Sequence, residues 1–340
     1  MTFDPRNILV INFGQMGDVV LSLPALSALR TRFPAAHITV MVGRPAAPIV
    51  ELAGVADKTM PIDRVALRDG PKPLSLLRIA QLVKGVRRSQ YDFVVDLHSL
   101  SETNLLGFLS GARSRLFMRR PNRSLDFLSN FQPRPPREDL GKHAIDRYLD
   151  ALKPLGIGQV SRVPRLRPRP EDDRAVEELL KKEKAGRDEP LVGIFPGAGH
   201  PSRRWPLERF AELARRFESD GVRVVIFAGP EERALVRELR ASFPRSTIIL
   251  DRLSITQLAA AAARLAVFVS NDTGPMHVAA AVGTPVVMLL GHPTHRNYVP
   301  PGERHRVINA SAMHEISTDA VYEAARSALA TERMASLFSG

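Results

Sequence analysis

Three groups of residues in this chain have types and spacings suited to chemistry on a hydroxyl or a phosphate. The first is Gly14-Gln15-Met16-Gly17-Asp18, set where the apolar run Ile8 to Ile11 gives way to a helical pattern. Glycines there let the backbone turn tightly and approach a ligand, and an aspartate at that edge can accept a proton from an attacking hydroxyl. Taken alone, Asp18 reads more simply as a helix N-cap. The dinucleotide fingerprint Gly-x-Gly-x-x-Gly is absent. The second group is Asp272-Thr273-Gly274-Pro275-Met276-His277, directly after the run Val267 to Ser270. A helix opened by Pro275 presents free backbone N–H groups and the positive end of its dipole to an anion, which is how a diphosphate is held without metal. Thr273 adds a hydroxyl, and His277 a hydrogen bond or a positive charge. Each of these residues alone would pass as a cap or a packing group; their clustering argues for a site. The third group runs from Phe195 to Pro206 and contains a Gly- and Pro-rich turn, Arg203, Arg204 and the chain's only tryptophan, Trp205. Either arginine can contact phosphate at the same sheet edge, while Trp205 reads as a core anchor.

Lesser features follow the same logic. Asp96 and His98 close the run Phe93 to Leu97, although an edge histidine satisfied by its neighbours is the commoner case. Glu232, after Gly229 and Pro230, opens a helix and would complement its dipole, yet a carboxylate at a sheet edge also suits a ribose diol. No His/Asp/Glu set has metal-ligand spacing, so no metal is expected, and no serine nucleophile elbow is present.

The elements that must position these groups alternate. Short apolar runs (8–11, 38–42, 93–97) separated by helical periodicity (25–29, 76–86) indicate parallel strands covered on both faces. Residues 151–190 break the pattern with Pro154, Pro164, Pro168 and Pro170 and a charged helix over 171–184. A second series then runs strand 191–195, helix 207–217, strand 222–227, helix 231–241, strand 247–250, helix 255–263, strand 266–270, helix 276–282, strand 286–290. The expectation is α/β: two Rossmann-like, doubly wound parallel-sheet domains, 1–160 and 191–317, with a linker region at 161–190. The last helix, from Thr318, has no strand after it.

The 340 residues are 44% hydrophobic and lack cysteine, so disulfides and thiolate chemistry are excluded and a cytoplasmic enzyme is expected. Ile8 to Phe13 is too short for a signal sequence, and no segment is apolar enough to span a membrane. The net charge of +12 calls for an acidic partner or surface. Residues 1–160 hold most of it, with 22 Lys+Arg against 14 Asp+Glu, or +8. Their basic cluster, Arg113, Arg115, Arg119, Arg120 and Arg123, lies in a loop-like stretch between Gly111 and the residues after Pro121; a solvated face and a binding patch explain it equally well. With 6% aromatic residues and no recognisable module, nucleic acid is not an expected partner.

Taken together, the three groups resemble the heptosyltransferase family of bacterial lipopolysaccharide synthesis. The likeness is densest in Met16-Gly17-Asp18-Val19-Val20, Tyr91 to Leu97, Phe195-Pro196-Gly197-Ala198 with Arg204-Trp205-Pro206, and Ser270 to Ala281. It implies two Rossmann-like domains facing a cleft (GT-B type), with a final helix, 318–338, packing back on the first. It further implies an inverting, metal-independent transfer from ADP-heptose to a lipid A core acceptor, needing no cofactor beyond the nucleotide sugar. By the likeness, Asp18 is the general base, and Thr273, Gly274 and His277 hold the diphosphate. Asp272 meets the sugar, Arg203 with Arg204 the phosphate charge, Glu232 the ribose and the backbone near Leu253 the adenine. Gly17, Arg64, Arg68, Asp96, His98, Arg113 and Arg120 would line the acceptor side, and the basic cluster suits a phosphorylated acceptor and peripheral contact with an anionic membrane. Where the family commonly has lysine, a basic residue and glutamine, this chain has Arg203, Asn12 and His98. The rival readings are a transferase for another nucleotide sugar and a nucleotide-sugar epimerase, which would turn over its substrate without an acceptor.

Overall fold

A computed structural model describes residues 3–68, 72–121, 124–186, 189–233, 236–291 and 293–337. The chain divides into two compact units, Met1–Pro164 and Arg165–Gly340.

In the first unit the order is β1 (Asn7–Asn12), α1 (Met16–Arg32), β2 (His37–Gly43), α2 (Ala47–Ala53), β3 (Lys58–Ile62), α3 (Arg64–Arg68), α4 (Lys72–Arg88), β4 (Phe93–Asp96), α5 (Ser101–Leu109), β5 (Ser114–Phe117) and α6 (Ala144–Ala151). The strands form one parallel sheet ordered β3-β2-β1-β4-β5. β1, β2 and β4 are buried on both faces, which is why they read as unbroken apolar runs. α5 lies so close to the sheet that a Cβ on Gly107 would stand 2.9 Å from the Phe117 ring.

In the second unit, α7 (Pro170–Lys182) precedes β6 (Leu191–Phe195), α8 (Leu207–Ser219), β7 (Arg223–Phe227), α9 (Val236–Ser242), β8 (Ile248–Leu250), α10 (Ile255–Ala263), β9 (Val267–Asn271), α11 (Gly274–Ala281), β10 (Val286–Leu290), β11 (Arg306–Asn309) and α12 (Thr318–Leu337). This sheet, also parallel, is ordered β11-β10-β9-β6-β7-β8. α8 covers it with Phe210, Leu213, Ala214 and Phe217, the i, i+3, i+4, i+7 stripe of an amphipathic helix.

Three strands were not anticipated, and all are edge strands. β3 contains Lys58 and Pro61, β5 begins Ser114-Arg115, and β11 begins with Arg306. An edge is covered on fewer sides, so it tolerates charge and even proline and loses the apolar signature. β5 also corrects the loop-like reading of the Arg113 to Arg123 stretch. Much of the stretch expected to be linker is structured within the second unit. Arg264, at the C-cap of α10, grips both carboxylate oxygens of Asp173 in α7 at 2.8 and 3.0 Å, and Thr256 donates to Asp172 at 3.0 Å. α12 departs from its expectation as well. Its Val321, Ala325, Ala328 and Leu329 join the second unit's core beside α8. Residue 338 lies outside the described residues.

Candidate active site

In each sheet the strand order reverses once, between β1 and β4 in the first unit and between β6 and β9 in the second. Open parallel sheets bind ligands beyond the carboxyl ends of the strands at such a switch point. Asp18 follows β1, and Asp96 and His98 end and follow β4; Arg203 and Arg204 follow β6, and Asp272 to His277 follow β9. Each unit therefore carries its main candidates at its own switch point.

Asp18 is not the N-cap of α1. That position belongs to Gln15, and Asp18 occupies the third helical residue, where its Oδ2 accepts from the Gln15 amide at 3.0 Å. Among the described residues Oδ1 accepts no hydrogen bond, and the side chain is half-buried. Gly17, one residue before, is also half-buried. The turn itself is held by buried Asn12, whose Nδ2 donates to Ser22 Oγ at 2.9 Å and whose Oδ1 accepts from the Gly14 amide at 3.0 Å. Asn12 is thus spent on shaping the loop that presents Asp18.

Asp96 is fully buried. Its Oδ1 accepts from the amides of His98 (3.0 Å) and Ser99 (2.7 Å), and its Oδ2 from Asn104 Nδ2 (2.8 Å). Burial outweighs these bonds and pushes its carboxyl up to about 6. Asn104 also accepts from Ser124 Oγ and the Leu125 amide, so one buried amide ties β4, α5 and the loop after β5 together. These contacts make Asp96 a frame for the His98 loop rather than a surface for a ligand. Nothing in the sequence around Asn104 announced this role, because it closes a polar first turn, Ser101-Glu102-Thr103-Asn104, that looks solvated.

His98 is 9% exposed, its ring lies 6.1 Å from that of Phe13, and its buried Nε2 has no hydrogen-bond partner among the described residues. Burial, helped by Arg120 and Arg64, pulls its pKa down to about 3, so the ring is neutral near pH 7. Arg64 stacks over Phe13 at 5.8 Å and donates to its carbonyl, while Arg120 stands 3.7 Å from buried Glu138. Both therefore lie by the carboxyl edge with His98. Arg113 does not: it precedes β5, at the amino edge of the parallel sheet, and is exposed. Arg115 is bound to the Ala112 and Leu128 carbonyls and Arg119 to Asp126, so the basic cluster is mostly structural. Arg68 ends α3, but its side chain lies outside the described residues, as does Arg123.

A histidine held well below its ordinary pKa supplies stability at neutral pH that is lost as the solution is acidified from about 6.5 toward about 3. Asp96, with its raised pKa, acts in the opposite sense over roughly pH 4 to 6. His98→Gln removes the first effect and leaves the second. Its denaturant midpoint should fall less than that of the parent on acidification, and parallel curves would refute the assignment.

In the second unit Thr273 is the N-cap of α11 but makes no capping bond with its side chain. Its hydroxyl instead meets Ser270 Oγ at 3.1 Å. The first turn of α11 is thereby left uncapped by a side chain. His277 is buried in that turn with Nε2 3.8 Å from Asp272 Oδ1. Asn271 joins the two switch-point loops: its Nδ2 donates to the Pro196 and Gly197 carbonyls at 2.9 and 3.0 Å, and its Oδ1 accepts from the Trp205 amide at 3.1 Å. The adjoining motif flagged the region, but not this residue.

Arg203 is exposed, with no side-chain hydrogen bond among the described residues. Arg204 is partly committed, since its Nε and Nη2 both donate to the Ala198 carbonyl, at 3.1 and 3.0 Å. Glu232 sits in a turn ahead of α9 rather than inside a helix; its Oε2 accepts from the Gly229 amide at 3.0 Å, and burial raises its pKa. A Cβ on Gly197 would lie 2.2 Å from Glu232 Oε1, so this carboxylate is pressed directly on the loop after β6. Leu253, half-buried between β8 and α10, makes no backbone hydrogen bond among the described residues. No group of three potential metal ligands occurs among the described residues.

Two doubly wound parallel-sheet units in one chain, each with its candidate residues at its own switch point, make up the GT-B type fold. The chain belongs to glycosyltransferase family 9 (heptosyltransferase), whose description matches residues 79–325. Lipooligosaccharide heptosyltransferase 2 of Haemophilus influenzae is 26% identical over 87% of this chain and 86% of its own length. Lipopolysaccharide heptosyltransferase 2 of Salmonella typhimurium is 27% identical over 88% and 87%. A solved family 9 glycosyl transferase from Veillonella parvula is 25% identical with a TM-score of 0.87, covering 97% of this chain and 99% of that one. ADP-heptose heptosyltransferase II of E. coli, 22% identical with a TM-score of 0.79 over 96% and 99%, shares the fold.

Proposed function

We propose that this chain moves heptose from ADP-heptose to a lipid A inner-core acceptor, with Asp18 as general base. The observation that carries this reading is the half-buried Asp18 carboxylate at the switch point of the first unit, one oxygen of which accepts no hydrogen bond from the described residues. The acceptor hydroxyl attacks the anomeric carbon, its proton passes to Asp18, and the bond to the diphosphate breaks with inversion as ADP departs. In the second unit, the amides opening α11, with the Thr273 hydroxyl and His277, receive the diphosphate, and exposed Arg203 meets the charge that grows on it. Asp272 meets the sugar, Glu232 takes the ribose and the free backbone at Leu253 the adenine. Work at a lipid-borne acceptor implies peripheral contact with an anionic membrane; no described helix is long and apolar enough to cross one.

Thermal unfolding with a panel of nucleotide sugars tests the donor. ADP-heptose should raise the midpoint most, and uridine or thymidine sugars little. His277→Ala and Arg203→Ala should each weaken ADP binding about tenfold by calorimetry, a loss of roughly 1.4 kcal/mol. Unchanged affinity in both would remove the proposed diphosphate site. Turnover of the nucleotide sugar with no acceptor present would favour an epimerase instead.

A further inference from the structure

Five exposed apolar side chains of the first unit gather on two neighbouring helices, while the others, such as Phe127 and Leu140, lie elsewhere in the chain. Leu76 is 67% exposed, Leu77 53% and Val65 of α3 65%, with Leu74 and Ile79 exposed beside them. α3 and α4 pack on each other, and Arg78 of α4 donates to the Ala66 carbonyl at 3.3 Å, so these side chains belong to one surface. Only Ser75 and Val86 of α4 are buried. The helix therefore rests on the unit by a narrow strip and turns the rest of its girth to solvent.

Charge is distributed along that outer face in a definite order. Leu77, Lys84 and Arg88 stand at i, i+7 and i+11, which places them on one line along the helix within a few tens of degrees. Leu76 and Arg87 make a second such line. The amino-terminal turns of the face are thus apolar and the carboxy-terminal turns cationic, about 10 Å further along the axis. α4 carries no acidic residue at all over its 17 positions. Apolar side chains left in water beside an unbroken set of cations suit a surface that offers hydrocarbon just beneath negative charge.

We infer that α3 and the first turns of α4 insert into the headgroup region of an anionic bilayer, with Lys84, Arg87 and Arg88 resting on the lipid phosphates. This inference deepens the proposed reading, in which the acceptor is lipid-borne, and moves the membrane contact from the Arg113 to Arg123 stretch to α4. A second protein partner would be served by the leucines, but a helix that carries Lys84, Arg87 and Arg88 and no acidic residue of its own, with Asp63 at the far start of α3, fits lipid phosphate better.

Vesicle flotation tests it without donor or saccharide acceptor, so the result is independent of which sugar is transferred. The full-length protein should float with vesicles of phosphatidylcholine and phosphatidylglycerol and stay behind with phosphatidylcholine alone. Leu76→Ser with Leu77→Ser, both on exposed positions and so expected to leave the melting temperature unchanged, should reduce flotation about tenfold. Lys84→Glu with Arg88→Glu should do the same, and added salt should weaken the parent's binding. Equal flotation of parent and leucine variant would overturn the inference. So would failure of the parent to bind anionic vesicles, or a dimer that the leucine changes dissociate in sedimentation.

Discussion

Asp18→Asn is expected to lower the rate of sugar transfer by about 10²–10⁴-fold while leaving ADP affinity within about twofold of the parent. The substitution is a sharp one because of what the carboxylate does locally. Its Oδ2 accepts from the Gln15 amide, and an asparagine oxygen can do the same, so the first turn of α1 keeps its closure. What asparagine lacks is a second oxygen basic enough to take a proton. Loss of turnover without loss of nucleotide binding or of melting temperature would therefore isolate the proton acceptor. A variant that retained turnover within a few-fold of the parent would show that another group, or water, takes the proton.

Trp205→Ala should be the most damaging single change to the second unit, costing about 3–5 kcal/mol of stability. The indole is almost wholly buried, meets Phe210 edge-on with ring centroids 4.7 Å apart, and donates from Nε1 to the Ile316 carbonyl at 3.0 Å. It thereby joins the loop after β6 to the segment that leads into α12. Trp205→Phe keeps most of the apolar area and loses the hydrogen bond, whose net worth is about 1 kcal/mol. The Ile316 carbonyl retains Arg209 as a donor, so it is not left orphaned. Urea unfolding of the parent and both variants should rank them parent, Phe, Ala. An alanine variant less than about 1 kcal/mol below the parent would show that the ring is not an anchor.

How much was legible in the sequence follows from where each residue sits. The central strands announced themselves because burial on both faces requires unbroken apolar runs such as Ile8 to Ile11 and Val286 to Leu290. The edge strands β3, β5 and β11 did not, since solvent on one side admits Lys58, Arg115 and Arg306. The glycine and proline turns after β1, β6 and β9 marked the loops where candidates belong, because backbone chemistry of that kind is local. Arg113 was misplaced for the opposite reason: which edge of a sheet a basic residue reaches depends on a strand that its own sequence hid. Asn12, Asn104 and Asn271 stayed silent because each acts through partners far away in the chain or on neighbouring backbone. A buried amide has no periodicity to betray it. The final helix was assigned by likeness alone, and its alanine-rich face in fact fills the second unit's own core.

The close approach of Glu232 to Gly197 ties two positions far apart in the chain to one small volume. Any side chain at 197 would have to occupy the space of the Glu232 carboxylate, so a single mutation there evicts a group that the second position still encodes. The same side chain would also meet the Phe195 ring at 2.7 Å, so both neighbours would have to move to admit it. Position 197 and position 232 are therefore coupled, and changes at the two are expected to be non-additive in stability.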